Sequence, residues 1–123
     1  MNYKWYYIHK NLGDLYRNIK YFWQRGKRGY SDCDCWNIDY FLCDIMPEMI
    51  KQLRETTCSY PNKLSGLKEW KKILKEMEEA FRIGNILNDL DYNWKDPKKT
   101  KELHDKLNKG LDLFKEHFLS LWN

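Results

Sequence analysis

The sequence contains no run of about 18 apolar residues, so nothing in it is built to span a bilayer. Its first residues, MNYKWYYIHKN, lack the apolar core and small-residue cleavage site of a secretory signal. The expectation is a protein that stays inside the cell that makes it. Gly-rich phosphate loops, nucleophile elbows and Cys–His pairs in a recognisable context are also missing, which removes the common signatures of nucleotide hydrolysis and covalent catalysis. Cysteine is present but unpatterned. Cys33-x-Cys35 is tighter than zinc spacing, and neither Cys43 nor Cys58 completes a matching pair. Without an export signal these four are expected as free thiols, and no cofactor is implied. No internal repeat or low-complexity stretch occurs.

What the chain does have is aromatic surface. Its 123 residues, the size of one domain, include six Trp, nine Tyr and five Phe, and the mean hydropathy is −0.87. So many rings can offset the conformational entropy of ordering a short chain, which argues for one folded domain over residues 1–123 and against disorder. The net charge of +4 is laid out in alternating blocks. Residues 1–30 hold seven basic groups and one acidic, and residues 31–50 hold five acidic and no basic. Either oppositely charged helices lie side by side, or the first block forms a basic surface for an anionic ligand. So small a net charge offers few phosphate contacts, which argues against nucleic acid as the partner.

Hydrophobic periodicity predicts an all-α fold, a bundle of about four helices. With residues about 100° apart, Trp5, Ile8, Leu12, Leu15, Tyr16, Ile19, Phe22 and Trp23 form one stripe, predicting a first helix over residues 3–24. Gly13 is a possible break within it, and Gly26 and Gly29 punctuate its end. Ser31 followed by Asp34 is a capping-box-like start, and Asp32 and Asp39 suit the positive end of a helix. The second stripe is Ile38, Phe41, Leu42, Ile45, Met46, Met49 and Leu53, with a kink expected near Cys43–Pro47 because Pro47 removes an amide donor. After the CSYPNKLSG loop, a third helix begins past Ser65 and Gly66, with Leu67, Trp70, Ile73, Leu74, Met77, Phe81 and Gly84 inward, and ends near Leu90–Asp91. Asp96 and Pro97 read as an N-cap and first helical position. The fourth helix then runs to the C-terminus through Leu103, Leu107, Leu111, Phe114, Phe118, Leu121 and Trp122, with Gly110 permitting close packing.

The stretch RGYSDCDCWNIDYFL, with Arg28, Gly29, Tyr30, Ser31, Asp32, Asp34, Trp36, Asn37 and Asp39, resembles a group of small, uncharacterised proteins encoded in bacteriophage genomes. Tyr60–Pro61, the Glu69–Trp70 helix with Met77 and Phe81, and the ending GLDLFKEHFLSLWN carry the same resemblance. Members of that group often have Arg where this chain has Cys33. The resemblance implies a viral, helical protein of the host cell cytoplasm and brings no established activity.

Chemistry-bearing constellations are few. Glu76-x-x-Glu79 and Glu102-x-x-Asp105 resemble the magnesium carboxylates of all-α nucleoside-triphosphate pyrophosphatases, but all four lie far from the apolar stripes of their helices and point to solvent. His104 and His117 diverge around one helix, and His9 stands alone. The first helix carries a second stripe, Tyr3, Tyr7, Lys10, Asp14, Arg17, Tyr21, Gln24 and Arg25, continued by Lys27, Arg28 and Tyr30. Rings alternating with guanidinium groups suit a nucleotide, the ring stacking and Arg forking onto phosphate. They suit a subunit interface equally. The candidate ligand residues are Tyr7, Arg17, Tyr21, Arg25, Arg28, Tyr30, Ser31 and Trp36, with no catalytic residue and no metal ligand. The resulting expectation is a non-catalytic, homo-oligomeric binding protein of phage origin. It would sequester a nucleotide-derived immune signal as a counter-defence or, alternatively, inhibit a host protein by surface contact. A magnesium pyrophosphatase is a weaker alternative, and no membrane partner is expected.

Overall fold

The computed structural model describes residues 12–123. They form four α-helices: α1 (Leu12–Arg28), α2 (Ile38–Thr56), α3 (Leu67–Leu87) and α4 (Pro97–Glu116). Two 3-10 turns, Asp32–Cys35 and Phe118–Ser120, complete the regular structure, and no strand occurs among the described residues. The all-α expectation holds. No helix of the described residues is long and apolar enough to cross a membrane. The chain divides into two compact units between Phe41 and Leu42, inside α2.

In the second unit the core is Ile50 from α2 with Trp70, Leu74, Met77 and Phe81 from α3. Leu113 and Phe114 of α4 and Leu121 beyond it pack against that cluster. The starts of α3 and α4 follow from the local sequence. Glu69 accepts from both the backbone N–H and the hydroxyl of Ser65 at 2.7 Å. Asp96 caps α4 by accepting from the Lys99 amide at 3.1 Å, with Pro97 at the first helical position where a missing N–H costs nothing. Gly110 explains the intimacy of α3 and α4. A Cβ there would collide with Ala80 Cβ and lie 2.9 Å from the Glu76 carbonyl oxygen.

α2 runs as one helix from Ile38 to Thr56 with Pro47 inside it and fully buried, as the unbroken second stripe predicts; the kink expected near Cys43–Pro47 is not shown. The proline ring has no N–H for the carbonyl four residues earlier, that of Cys43. The side-chain amide of Asn85 on α3 donates to this carbonyl at 2.7 Å. Its neighbour Gly84 makes the approach possible, since a Cβ at that position would sit 2.5 Å from Cys43 Sγ. A third tie is ionic. Glu78 is buried on α3, and its Oε2 accepts from Arg54 of α2 at 2.9 and 3.2 Å. Its Oε1 accepts from Arg82 at 3.1 and 3.3 Å, and Arg82 reaches on to Glu48. Burial works to raise the pKa of Glu78, but these guanidinium donors outweigh it and hold the carboxyl below its usual range.

These ties correct the expected inner face of α2. Cys43, Met46, Ile50 and Leu53 face the core, while Ile38, Leu42 and Met49 are exposed. α2 is apolar on two sides, and the partners of Cys43 and Arg54 choose which one turns inward. Two ends also differ. α3 stops at Leu87, short of Leu90–Asp91, and α4 gives way at His117 to a 3-10 turn, so that Phe118 and Trp122 are exposed rather than inward. His117, expected at the surface or its boundary, is buried against Trp70 with ring centroids 5.4 Å apart.

Candidate functional site

In the first unit the predicted faces of α1 exchange roles. Leu15, Tyr16, Ile19, Phe22 and Trp23, expected as core, are exposed, whereas Tyr21 of the Tyr–Arg stripe is buried. The cause lies in the loop that follows. α1 continues through Gly26 to Arg28, and Gly29 ends it with φ +84°, a left-handed conformation open to glycine at little cost. The Gly29 amide donates to the Arg25 carbonyl at 2.9 Å, and the chain turns back along the helix.

Three sets of hydrogen bonds fasten the returning loop. Asp34 Oδ2 accepts from the Ser31 amide at 2.7 Å and the Ser31 hydroxyl at 2.8 Å, so the Ser31–Asp34 capping-box pair closes around a 3-10 turn instead of opening α2. The Arg25 guanidinium forks onto the same carboxylate, Nε to Oδ2 at 2.9 Å and Nη2 to Oδ1 at 2.5 Å. Asp32 accepts from Gln24 Nε2 at 2.8 Å while its backbone amide donates to Gln24 Oε1 at 2.9 Å, and it pairs with Arg28. Arg28 also donates from Nε to the Tyr30 carbonyl at 3.0 Å, with its guanidinium 4.5 Å from the centre of the Tyr30 ring.

The electrostatics follow from these contacts. Burial pushes the Asp34 carboxyl up, but the bonds from Arg25 and Ser31 prevail and hold it below the usual carboxylate range. Gln24 first, then Arg28, lowers Asp32 in the same way. The paired Asp32 in turn raises the pKa of Arg28. Ser31 is completely buried, and its Oγ lies 3.0 Å from Cys33 Sγ. All four cysteines are free, Cys33 buried and Cys35 exposed.

The candidate residues thus divide. Tyr21, Arg25, Arg28, Tyr30, Ser31 and Trp36 come together around the loop. Arg17 stays on the helix, exposed and paired with Asp14. Tyr7 lies outside the described residues. Tyr21 meets Trp36 edge to face at 6.3 Å, yet Trp36 remains 68% exposed and Tyr30 44%. Two residues central to this arrangement, Gln24 and Asp34, were not among the candidates. The signal for them was the juxtaposition of a basic and an acidic block, which allowed Asp34, nine residues after Arg25, and Asp32, four after Arg28, to fold back onto the arginines.

No family model, curated protein or solved structure matches this chain. The site has to be read from its own chemistry. Among the described residues no three His, Cys, Asp or Glu side chains are grouped to hold a metal ion. Glu76 pairs with Lys109 at 3.2 Å, and Glu79, Glu102 and Asp105 are exposed. The loop offers a hydrogen-bonded, nearly charge-balanced mount that presents a tryptophan and an arginine-backed tyrosine to solvent.

Proposed function

We propose that this chain is a non-catalytic binding protein that acts by contact with another protein, using Trp36 and Tyr30 as anchors. The observation that carries the reading is the fastening of the loop: the side chains of Arg25, Arg28 and Gln24 are spent on Asp34 and Asp32, while the rings stay exposed. Trp, Tyr and Arg dominate the energetics of protein interfaces, and a surface held in its binding conformation loses little entropy on association. We favour this over sequestration of a nucleotide-derived signal because the guanidinium groups suited to phosphate already hold carboxylates. The resemblance to phage-encoded proteins supplies the context of the proposal, inhibition of a host protein in the host cytoplasm as a counter-defence.

A photo-crosslinking residue at position 36 tests it in host cells. One host protein should be captured repeatedly, and purified wild-type chain should bind that protein at least about tenfold tighter than Trp36→Ala. The variant should keep its melting temperature, since the ring is mostly in water. Calorimetric heat with cyclic nucleotides or ADP-ribose derivatives, abolished by Arg28→Ala, would overturn the reading in favour of a nucleotide ligand.

A further inference from the structure

The Asp32–Cys35 turn holds two thiols for which the Tyr30–Trp36 surface has no use. Cys33 is buried, its Sγ 3.0 Å from Ser31 Oγ and 3.7 Å from Arg25 Nη2. Cys35 is exposed, and its thiol donates to the Ser31 carbonyl oxygen at 3.8 Å. Both sulfurs therefore rest on one residue, the first at its hydroxyl and the second at its carbonyl. At the ~2.0 Å rise per residue of a 3-10 helix, positions two apart place their Cα atoms about 5 Å from each other. Disulfides bridge Cα atoms about 4.4–6.8 Å apart, so the backbone spacing admits a bond. The side-chain directions do not. Three residues per turn set the two Cβ vectors about 120° apart, and the turn must open before the sulfurs meet. Neither Cys58, which is exposed, nor Cys43, half-buried in α2, shares a turn with another cysteine.

We propose that Cys33 and Cys35 are a redox-active pair, oxidised by low-molecular-weight disulfides such as glutathione disulfide. Exposure sets the order of attack. The Cys35 thiolate attacks one sulfur of the small disulfide, whose S–S bond breaks as the new bond to Cys35 Sγ forms; the displaced thiolate leaves and takes up a proton. The Cys33 thiolate then attacks Cys35 Sγ and expels the second small thiol in the same way. The balance is one protein disulfide formed and one small disulfide reduced to two thiols, with two electrons passing from the protein. The first step leaves the turn closed. The second takes Cys33 from Ser31 and Arg25 and opens the turn, whose amide bonds run from Asp34 to the Ser31 carbonyl at 3.1 Å and from Trp36 to the Cys33 carbonyl at 3.3 Å. Their loss strains the oxidised state, and strained disulfides are the ones that small thiols reverse readily. Trp36, next in sequence, loses its backbone tie in the same event. Control of the Trp36 surface by oxidation rests on the function proposed above; formation of the disulfide does not.

Equilibration of the whole chain with reduced and oxidised glutathione, followed by acid quench and peptide mass spectrometry, provides the test. The peptide that holds both cysteines should lose two hydrogens, while Cys58 carries only a glutathione adduct. Cys33→Ser should stop at the adduct on Cys35, and Cys33→Ala, which adds no polar group to the buried position, should stop there too. In Cys35→Ser, Cys33 should stay reduced under conditions that modify Cys58, because the buried sulfur is not the one first reached. The oxidised wild-type chain should exchange its Ser31 and Asp34 amides at least about tenfold faster than the reduced chain, and dithiothreitol should restore the slow rate. A wild-type peptide that ends as a glutathione adduct on Cys35, or that stays reduced where Cys58 is modified, would overturn the proposal. Unchanged exchange of both amides in the oxidised chain would overturn it as well. All of these readings are made without a partner, so failure of the disulfide and failure of the Trp36 surface to bind are told apart.

Discussion

Replacing Asn85 by alanine should destabilise the protein by an amount that depends on what stands at position 47. In an α-helix the carbonyl of Cys43 takes its hydrogen bond from the amide of residue 47, and Pro47 has none to give. Asn85 donates there instead, at 2.7 Å from across the helix pair. Losing a partner at a partly buried carbonyl costs about 1–2 kcal/mol, so Asn85→Ala should lower the unfolding free energy by that much. In Pro47→Ala the backbone amide at position 47 is restored and can serve the same carbonyl. Asn85→Ala should then cost about 0.5 kcal/mol or less. The net effect of Pro47→Ala alone does not enter the comparison, because relief of a helix-interior proline, ~3 kcal/mol, opposes the loss of a fully buried ring. Urea titrations of the four proteins, followed by circular dichroism at 222 nm with a common m-value, give the coupling as the difference between the two costs. About 1 kcal/mol is expected. If Asn85→Ala costs the same in both backgrounds to within ~0.3 kcal/mol, the amide is not standing in for the missing N–H and the reasoning is wrong.

Gly110→Ala should destabilise by about 2 kcal/mol, overpacking against Ala80 and the Glu76 carbonyl outweighing the ~1 kcal/mol that alanine gains in helix propensity; Ala80→Gly in the same chain should recover part of the lost melting temperature. Glu78 has a folded pKa below its unfolded one, so its contribution is complete above the unfolded value and disappears as pH falls through the folded value. Glu78→Gln should therefore cost about 1–3 kcal/mol at neutral pH and flatten the acid limb of a stability-against-pH curve; an unchanged limb would exclude the Arg54–Glu78–Arg82 cluster as its source. Arg25→Ala should raise the Asp34 titration midpoint, read by NMR, and loosen the 31–36 loop enough to speed exchange of the Ser31 amide. An unmoved midpoint would mean that the Ser31 amide and hydroxyl suffice to hold the carboxylate.

Periodicity makes α3 and α4 legible because each has one apolar stripe and a conventional start: Ser65 and Gly66 for the one, Asp96 and Pro97 for the other. Close packing at Gly110 is legible for the same reason, a small residue at the border of a single stripe. α2 defeats the method. It is apolar on two sides, and the side that turns inward is fixed by Asn85, Gly84 and Glu78, residues more than twenty positions away that no local window includes. The candidate site is half legible. The composition of the Tyr–Arg stripe and the Ser31–Asp34 pair can be read directly, and six of the eight candidate residues do gather around one loop. What cannot be read is the direction in which the arginines point. A guanidinium spaced for phosphate is equally spaced for a carboxylate of its own chain, and Asp34, close in sequence, reaches Arg25 first.

That competition links the charge pattern to the surface that remains. Each arginine paired at home removes a basic group from the solvent-facing side of the loop and draws Tyr21, Gln24 and Arg25 toward it. The turn of α1 that brings this polar stripe onto the loop leaves Leu15, Ile19, Phe22 and Trp23 on the opposite side. A helix cannot bury both faces against a loop of nine residues. The gain on the loop side is specific, a bidentate ion pair and a buried serine hydroxyl, whereas apolar burial is non-directional and can be met by any apolar surface. The structure of residues 12–41 thus commits its directional interactions internally and leaves the apolar side chains of Leu15, Ile19, Phe22 and Trp23 at the surface.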